Sequence, residues 1–256
     1  KVMKIHHLRN ATFVIESGAT FILVDPMLGK KATQPPFTLF RFKPKKNPLV
    51  DLPQNSDEIL QKVTHCFITH LHPDHLDKDA EQFLKEKNIP VICSNNDIKT
   101  LQKRGLTISN SLNYWKETSF LKGKIIGIPA VHGYGFIAKP MGNVMGFYLQ
   151  LPNEKSIYIT ADTIFTSDVE KVLTQLNPEI TVLACGTAQL DFGKPLLMTI
   201  QDLIKCIKMT PGKVIANHLE ALNHCPTTRN QLQQELQKHQ LLNKVWIPND
   251  GESLQY

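Results

Sequence analysis

The segment Thr69-His70-Leu71-His72-Pro73-Asp74-His75-Leu76-Asp77 constrains this chain more than any other. Three imidazoles and a carboxylate fall between His70 and His75, directly after the apolar run Cys66-Phe67-Ile68. Nitrogen and oxygen donors at that density suit divalent transition metals. In an extended segment His70 and His72 share one side, and Pro73 then turns the chain so that Asp74 and His75 can face a second position beside the first. A His-rich surface loop is the plainer alternative. Histidine is only 10 of 256 residues, however, and this order behind a strand favours a metal site.

The rest of the chain reads as alternating short elements. Ala11–Glu16 and Thr20–Asp25 form a hairpin across Ser17–Gly18. Residues Gly29 to Gln54 have no clear periodicity and read as a long surface excursion, including Arg41-Phe42-Lys43-Pro44-Lys45-Lys46. Strands are expected over Thr64–Thr69, Pro90–Cys93, Lys122–Val131, Val144–Leu151, Ser156–Thr160, Glu179–Ala184, Lys213–Asn217 and Lys244–Ile247. Helices are expected over Asp79–Lys87 (capped near Asp77), Asp97–Lys103, Ser167–Gln175, Thr199–Met209 and Thr227–His239, with Pro226 in the first turn of the last. No repeat, low-complexity tract or linker divides residues 1–256, so one α+β or α/β domain is expected.

Composition excludes several classes. With 41% hydrophobic and 20% charged residues the chain is neither collagen-like, coiled-coil nor wholly disordered. No apolar run approaches the roughly 20 residues that span a bilayer, and Lys1–Asn10 carries no apolar signal-peptide core. Five scattered cysteines without CxxC spacing suggest reduced, cytoplasmic usage. The net charge of +6, from 29 basic and 23 acidic residues, favours an anionic partner without identifying one.

The HxHxDH pattern resembles that of the metallo-β-lactamase-fold hydrolases, and further positions match in order. His132 follows an apolar strand and precedes Gly133, Asp162 follows Ser156–Thr160, His218 ends Lys213–Asn217, and Asp25 ends an early strand. The resemblance spans essentially the whole chain and implies an αββα sandwich of two mixed sheets flanked by helices. It implies that His70, His72 and His132 hold one divalent ion, that Asp74, His75 and His218 hold another, that Asp162 bridges them, and that Asp25 supports the site without binding metal. Arg9-Asn10-Ala11-Thr12, Asp25-Pro26-Met27-Leu28 and His218-Leu219-Glu220-Ala221-Leu222-Asn223-His224 look like the UlaG-like branch, which includes L-ascorbate-6-phosphate lactonase. Ala161 stands where glycine is common in the family.

Zinc suits the nitrogen-rich set best, and manganese or iron fits the same ligands. A hydroxide held between two such ions would attack a small, anionic ester, lactone or phosphodiester, with Asp74 orienting it and His224 as a candidate acid. His218 is preferred to His224 as a ligand because it ends the strand directly. Glu220, Asn223 and Tyr134 either line the substrate pocket or serve the loops that carry them. Arg41–Lys46 is either an anion clamp or a solvated turn, the turn being favoured. Cys185 is either a buried apolar residue or a thiol nucleophile, and Phe37, Phe40 and Phe136 are either pocket wall or packing. A nucleic-acid phosphodiesterase is the enzymatic alternative, although no nucleic-acid-binding module is evident and such a partner is not expected. A metal-binding scaffold or redox sensor without turnover is the other, and His72 counts against the redox version. A homo-oligomer is compatible with the sequence.

Overall fold

In the computed structural model, which describes residues 2–256, two seven-stranded sheets pack face to face between outer layers of helices. The first sheet runs in the order β14 (Ser253–Gln255), β1 (Lys4–Arg9), β2 (Thr12–Ser17), β3 (Thr20–Val24), β4 (His65–Phe67), β5 (Val91–Ser94) and β6 (Ile108–Leu112). The second runs β13 (Val245–Trp246), β12 (Lys213–Asn217), β11 (Ile180–Ala184), β10 (Ile157–Ile159), β9 (Met145–Gln150), β8 (Gly123–Pro129) and β7 (Glu117–Phe120). Both are mixed. Strands β3 to β6 and β10 to β13 run parallel to their neighbours, and the remaining pairs are antiparallel.

Strand alternation builds the layers. Phe13, Ile15, Ile22 and Val24 face inward, where they meet Phe147, Leu149, Ile157 and Val182 of the other sheet. Their neighbours Val14 and Leu23 face outward and pack with Ile59, Leu60, Leu84 and Leu101 on helices α1 (Ser56–Leu60), α2 (Lys78–Glu86) and α3 (Ile98–Lys103). On the second sheet Tyr148, Tyr158, Leu183 and Val214 face outward, against α5 (Ser167–Lys171), α6 (Ile200–Met209) and α7 (Arg229–Lys238). A short helix, α4 (Ala138–Met141), lies between β8 and β9. The αββα sandwich is therefore present as expected.

Helix starts follow local chemistry. Asp77 caps α2 by accepting from the Ala80 amide, and Thr166 and Thr199 do the same for α5 and α6. The last helix begins later than expected: Thr228 and Gln231 form a reciprocal capping box, and Pro226 lies outside the helix. Four strands were not anticipated, β1, β6, β7 and β14. Their polar or charged residues, as in Lys4-Ile5-His6-His7 and Ile108-Ser109-Asn110-Ser111, hide the alternation. The excursion after β3 is real and carries only the isolated bridge Gln34–Asn47 before α1. Arg9 anchors it, donating from a fully buried guanidinium to the carbonyls of Met27, Gly29 and Val50.

Candidate metal centre

Five chain segments leave the C-terminal ends of strands on the same edge of the sandwich, and the turns there are tight. Asp25 after β3, Ala161 after β10 and His218 after β12 all adopt positive φ, at 45°, 58° and 59°. For residues with a β-carbon that conformation costs on the order of 1 kcal/mol, so packing must hold it. The turn between β1 and β2 does part of this: the Asn10 carbonyl accepts from the His218 amide at 2.9 Å, and Asn10 Nδ2 donates to the Asp74 carbonyl at 3.0 Å. Thr12 Oγ1 donates to the Asp25 carbonyl and accepts from the Met27 amide. The Arg9-to-Thr12 and Asp25-to-Leu28 motifs are thus scaffolding for the strand-end turns.

The seven expected ligands come together. His70, His72 and His132 form one group, and Asp74, His75, Asp162 and His218 form a second, each group's donor atoms lying within 4.8 Å of one another. Asp162 Oδ2 lies between them, at 3.2 Å from His75 Nε2, 3.4 Å from His218 Nε2, 3.3 Å from His132 Nε2 and 3.9 Å from His70 Nε2. Asp74 Oδ2 is 3.3 Å from His218 Nε2 and 3.4 Å from His75 Nε2.

The outer nitrogens of three imidazoles fix which ring nitrogen carries the proton. Asp25 accepts from the Thr69 amide, the Thr69 hydroxyl and His75 Nδ1. Because the Thr69 proton goes to Asp25, Thr69 Oγ1 accepts from His70 Nδ1 at 2.9 Å. His132 Nδ1 donates to the Leu196 carbonyl at 3.0 Å. Each Nε2 is then left with a lone pair aimed inward. His70 Nε2 and Asp162 Oδ1 are buried without a hydrogen-bond partner, and the Nε2 atoms of His75 and His218 face each other at 3.2 Å. Converging lone pairs and carboxylates in a dry site need positive charge between them, and divalent cations fit. A third grouping, Asp25 with His70 and His75, is disfavoured on the same reasoning, because the Nδ1 atoms of both rings are already engaged, with Thr69 and Asp25.

The electrostatics of the cluster agree. Burial raises the pKa of Asp162, but His75, His218 and His132 outweigh it and hold the carboxyl well below its ordinary range. Burial likewise opposes ionisation of Asp74, and His75 and His218 overcome it. Burial disfavours protonation of His75 and His218, yet the facing carboxylates lift both well above an ordinary imidazole. His132, burial-dominated, drops to about 4. The facing carboxylates thus favour positive charge at His75 and His218, the place where a bound cation would supply it instead.

A cavity of about 210 Å³ opens in front of the cluster. His72, Asp74 and His132 form its floor, His224 one side, and Phe37, Met141, Leu190 and Leu196 an apolar wall. His224 is buried, stands edge-on to Phe37 with ring centroids 5.1 Å apart, and has its Nδ1 3.9 Å from Cys225 Sγ. No described lysine or arginine lines the cavity.

The remaining expected pocket residues lie elsewhere. Glu220 accepts from Arg229 at 2.7 Å, beside Asp250. Asn223 staples the excursion, accepting from the Phe37 amide and Asn47 Nδ2 while donating to the carbonyls of Thr38 and Lys43. The Tyr134 hydroxyl bonds Asp202 and the Thr199 amide at the start of α6. Arg41 donates to the Leu190 carbonyl and Gln189 Oε1 and so ties two loops together; its guanidinium is no free anion clamp. Cys185 is a fully buried apolar contact whose thiol is pushed well up by burial. The sequence did not point to the Leu196 carbonyl or the Met141 and Leu190 side chains, which carry no chemical signature. Thr69 adjoins the motif and was recoverable from its position alone.

Comparison with known proteins places this geometry. A family model described as a beta-lactamase superfamily domain matches residues 20–219. The UPF0173 protein YddR of Bacillus subtilis is 34% identical over 255 residues, covering 98% of this chain and 99% of the relative. The crystal structure of a possible metal-dependent hydrolase from Veillonella parvula superposes with a TM-score of 0.91 at 28% identity, covering 99% of both chains. That of isothiocyanate hydrolase from Delia radicum gut bacteria does so with a TM-score of 0.90 at 30% identity, again over 99% of both.

Proposed function

The chain belongs to the beta-lactamase superfamily and, within it, to the UPF0173 family of metal-dependent hydrolases, and on that premise we propose a dinuclear hydrolase acting on a small substrate with a compact apolar group next to an electrophilic carbon. His70, His72 and His132 would hold one divalent ion, Asp74, His75 and His218 the other, and Asp162 both. Zinc suits the donors best, with manganese and iron as alternatives. Such ions supply Lewis acidity and lower the pKa of a water from about 15.7 towards roughly 7.

The protein's own groups would do the rest. Asp74, on the cavity floor, accepts a hydrogen bond from the attacking water and orients it. Phe37, Met141, Leu190 and Leu196 take the apolar group and exclude bulk water. His224, whose pKa is raised against the pull of burial by the neighbouring Cys225, delivers a proton to the leaving atom.

The observation that carries the substrate class is the apolar wall of Phe37, Met141, Leu190 and Leu196 beside the cluster, with no lysine or arginine in it. It favours a neutral substrate over the anionic esters and phosphodiesters suggested by net charge, since no lysine or arginine lines it to pair with a carboxylate or phosphate. An isothiocyanate, the substrate named for one relative at 30% identity, fits this description. Water would add its oxygen to the central carbon, the C–N bond would break, nitrogen would take both protons as an amine, and carbon would leave as carbonyl sulfide. Neutral esters and lactones remain within the class.

The test pairs metal content with turnover of benzyl isothiocyanate, a small neutral lactone and bis(p-nitrophenyl) phosphate. The expectation is about two equivalents of metal in the wild type, fewer in Asp162→Ala, and fastest turnover on a neutral substrate. Stoichiometric metal with no turnover of any of the three would favour the scaffold reading, and preference for the phosphodiester would overturn the substrate class.

A further inference from the structure

Three loops around the cavity mouth present large apolar side chains to solvent. Phe40 is 80% exposed, Phe136 90%, Phe192 78% and Leu39 53%. They lie on residues 36–46, 133–142 and 189–195, and the same loops carry Phe37, Met141 and Leu190 of the cavity wall.

The loops are braced against one another. The Asp191 carboxylate accepts from the backbone amides of Leu39, Phe40 and Arg41 at 2.8–2.9 Å. Arg41 donates across to Gln189 and Leu190, and Ile137 packs beside Gly193, 3.4 Å from where a β-carbon would stand. The aromatic tips therefore project from a fixed base. Leaving them in water is unfavourable by the ordinary measure of apolar exposure.

Charge identifies the partner. The three loops carry Arg41, Lys43, Lys45, Lys46, Lys139 and Lys194 against the single acid Asp191, so a net +5 sits here on a chain whose total is +6. The ion-paired lysines among the described residues are Lys62, Lys124, Lys155 and Lys238, and none of the five loop lysines is among them. The polar side chains of the loops are already engaged, Gln189 with Arg41 and Tyr134 with Asp202. A second copy docking through this face would bring two cationic surfaces together. Single-stranded nucleic acid binds by stacking its bases on aromatic faces, and Leu39, exposed among the loop tips, offers none.

We propose that these loops form a docking face for an anionic lipid surface, with Leu39, Phe40, Phe136 and Phe192 entering the headgroup layer and the five lysines meeting lipid phosphates. The cavity then opens towards the membrane, where an uncharged apolar substrate concentrates; this last clause alone rests on the hydrolase reading. Docking itself needs no metal.

The test is co-sedimentation of the intact protein with vesicles of phosphatidylcholine alone or with phosphatidylglycerol added. Binding is expected only to the phosphatidylglycerol vesicles, and it should fall steeply with salt. Phe40→Ser/Phe136→Ser/Phe192→Ser and, separately, Lys45→Gln/Lys46→Gln should each weaken it by more than about tenfold while circular dichroism and metal content stay at wild-type values. Chelated protein should bind vesicles as well as metal-loaded protein, which separates this inference from the fate of the metal centre. No binding to phosphatidylglycerol vesicles overturns it. So does a wild-type dimer that the triple Phe variant dissociates, or tighter retention of single-stranded RNA than of vesicles.

Discussion

Cys225 Sγ lies 3.5 Å from Nδ1 of His218, the imidazole whose Nε2 faces both Asp74 and Asp162. The thiol occupies the place that Asp25 takes behind His75 and the Leu196 carbonyl takes behind His132. Gly186 closes the space around it, since a β-carbon there would stand 3.1 Å from Sγ and 2.2 Å from the His218 carbonyl. Cys225→Ala should therefore weaken metal binding by roughly tenfold without unfolding the protein, and Cys225→Ser should recover most of the loss. Competition against a chromophoric chelator reads the effect, and equal affinity in Cys225→Ala and wild type would contradict it.

Asp25→Asn should be more damaging although Asp25 is not among the proposed ligands. Its carboxylate receives three donors, and an amide can accept at only one of its two positions. The expected cost is about 2–3 kcal/mol of stability, accompanied by loss of metal as His75 loses its orientation. Urea unfolding of chelated protein gives the first quantity and elemental analysis the second. An unchanged urea midpoint would show that the three bonds contribute little.

Ala161→Gly should stabilise the protein. Ala161 sits at φ 58°, where glycine is free of the β-carbon clash. Relief of strain, offset by the greater freedom of unfolded glycine, leaves a gain of about 0.5 kcal/mol. The signature is a small rise in the urea midpoint at unchanged m-value, and a fall would mean that the Ala161 methyl packs productively.

His6 should give the fold a separate dependence on pH. Burial depresses its pKa against the opposing pull of Glu16, so it is a neutral ring with Nε2 donating to Glu16 at 2.6 Å and Nδ1 beside Ser253 Oγ at 2.7 Å. The unfolded chain protonates first as pH falls. The stability contributed by the neutral ring is complete above about 6.5 and is lost as pH drops through the lower folded value. His6→Gln, compared with wild type after chelation, should show a shallower decline in urea midpoint on acidification. Parallel curves would exclude His6 as a source of the slope.

Legibility in the sequence followed chemistry. The histidine motif and the later strand-end residues were readable because their residue types are rare and their order is fixed by topology. Asp77 announced its helix by its place before an acidic first turn. The pocket was much harder to read. Asn223 and Tyr134 look like substrate-binding side chains in one dimension, and only folding reveals that the excursion and α6 consume their hydrogen bonds. Arg41 illustrates the same limit, since its partner loop is about 150 residues away along the chain. The edge strands β6 and β7 were missed because a half-exposed strand needs little apolar content to pair.

The turn at Arg9 and Asn10 has a genetic consequence. Neither residue is among the proposed ligands, yet one clamps three carbonyls of the excursion and the other holds the backbone of Asp74 and His218. In a library of random variants screened for loss of activity, positions 9 and 10 would score as heavily as the histidines themselves. A ranking of sites by mutational sensitivity would then mistake the joinery of the centre for its chemistry.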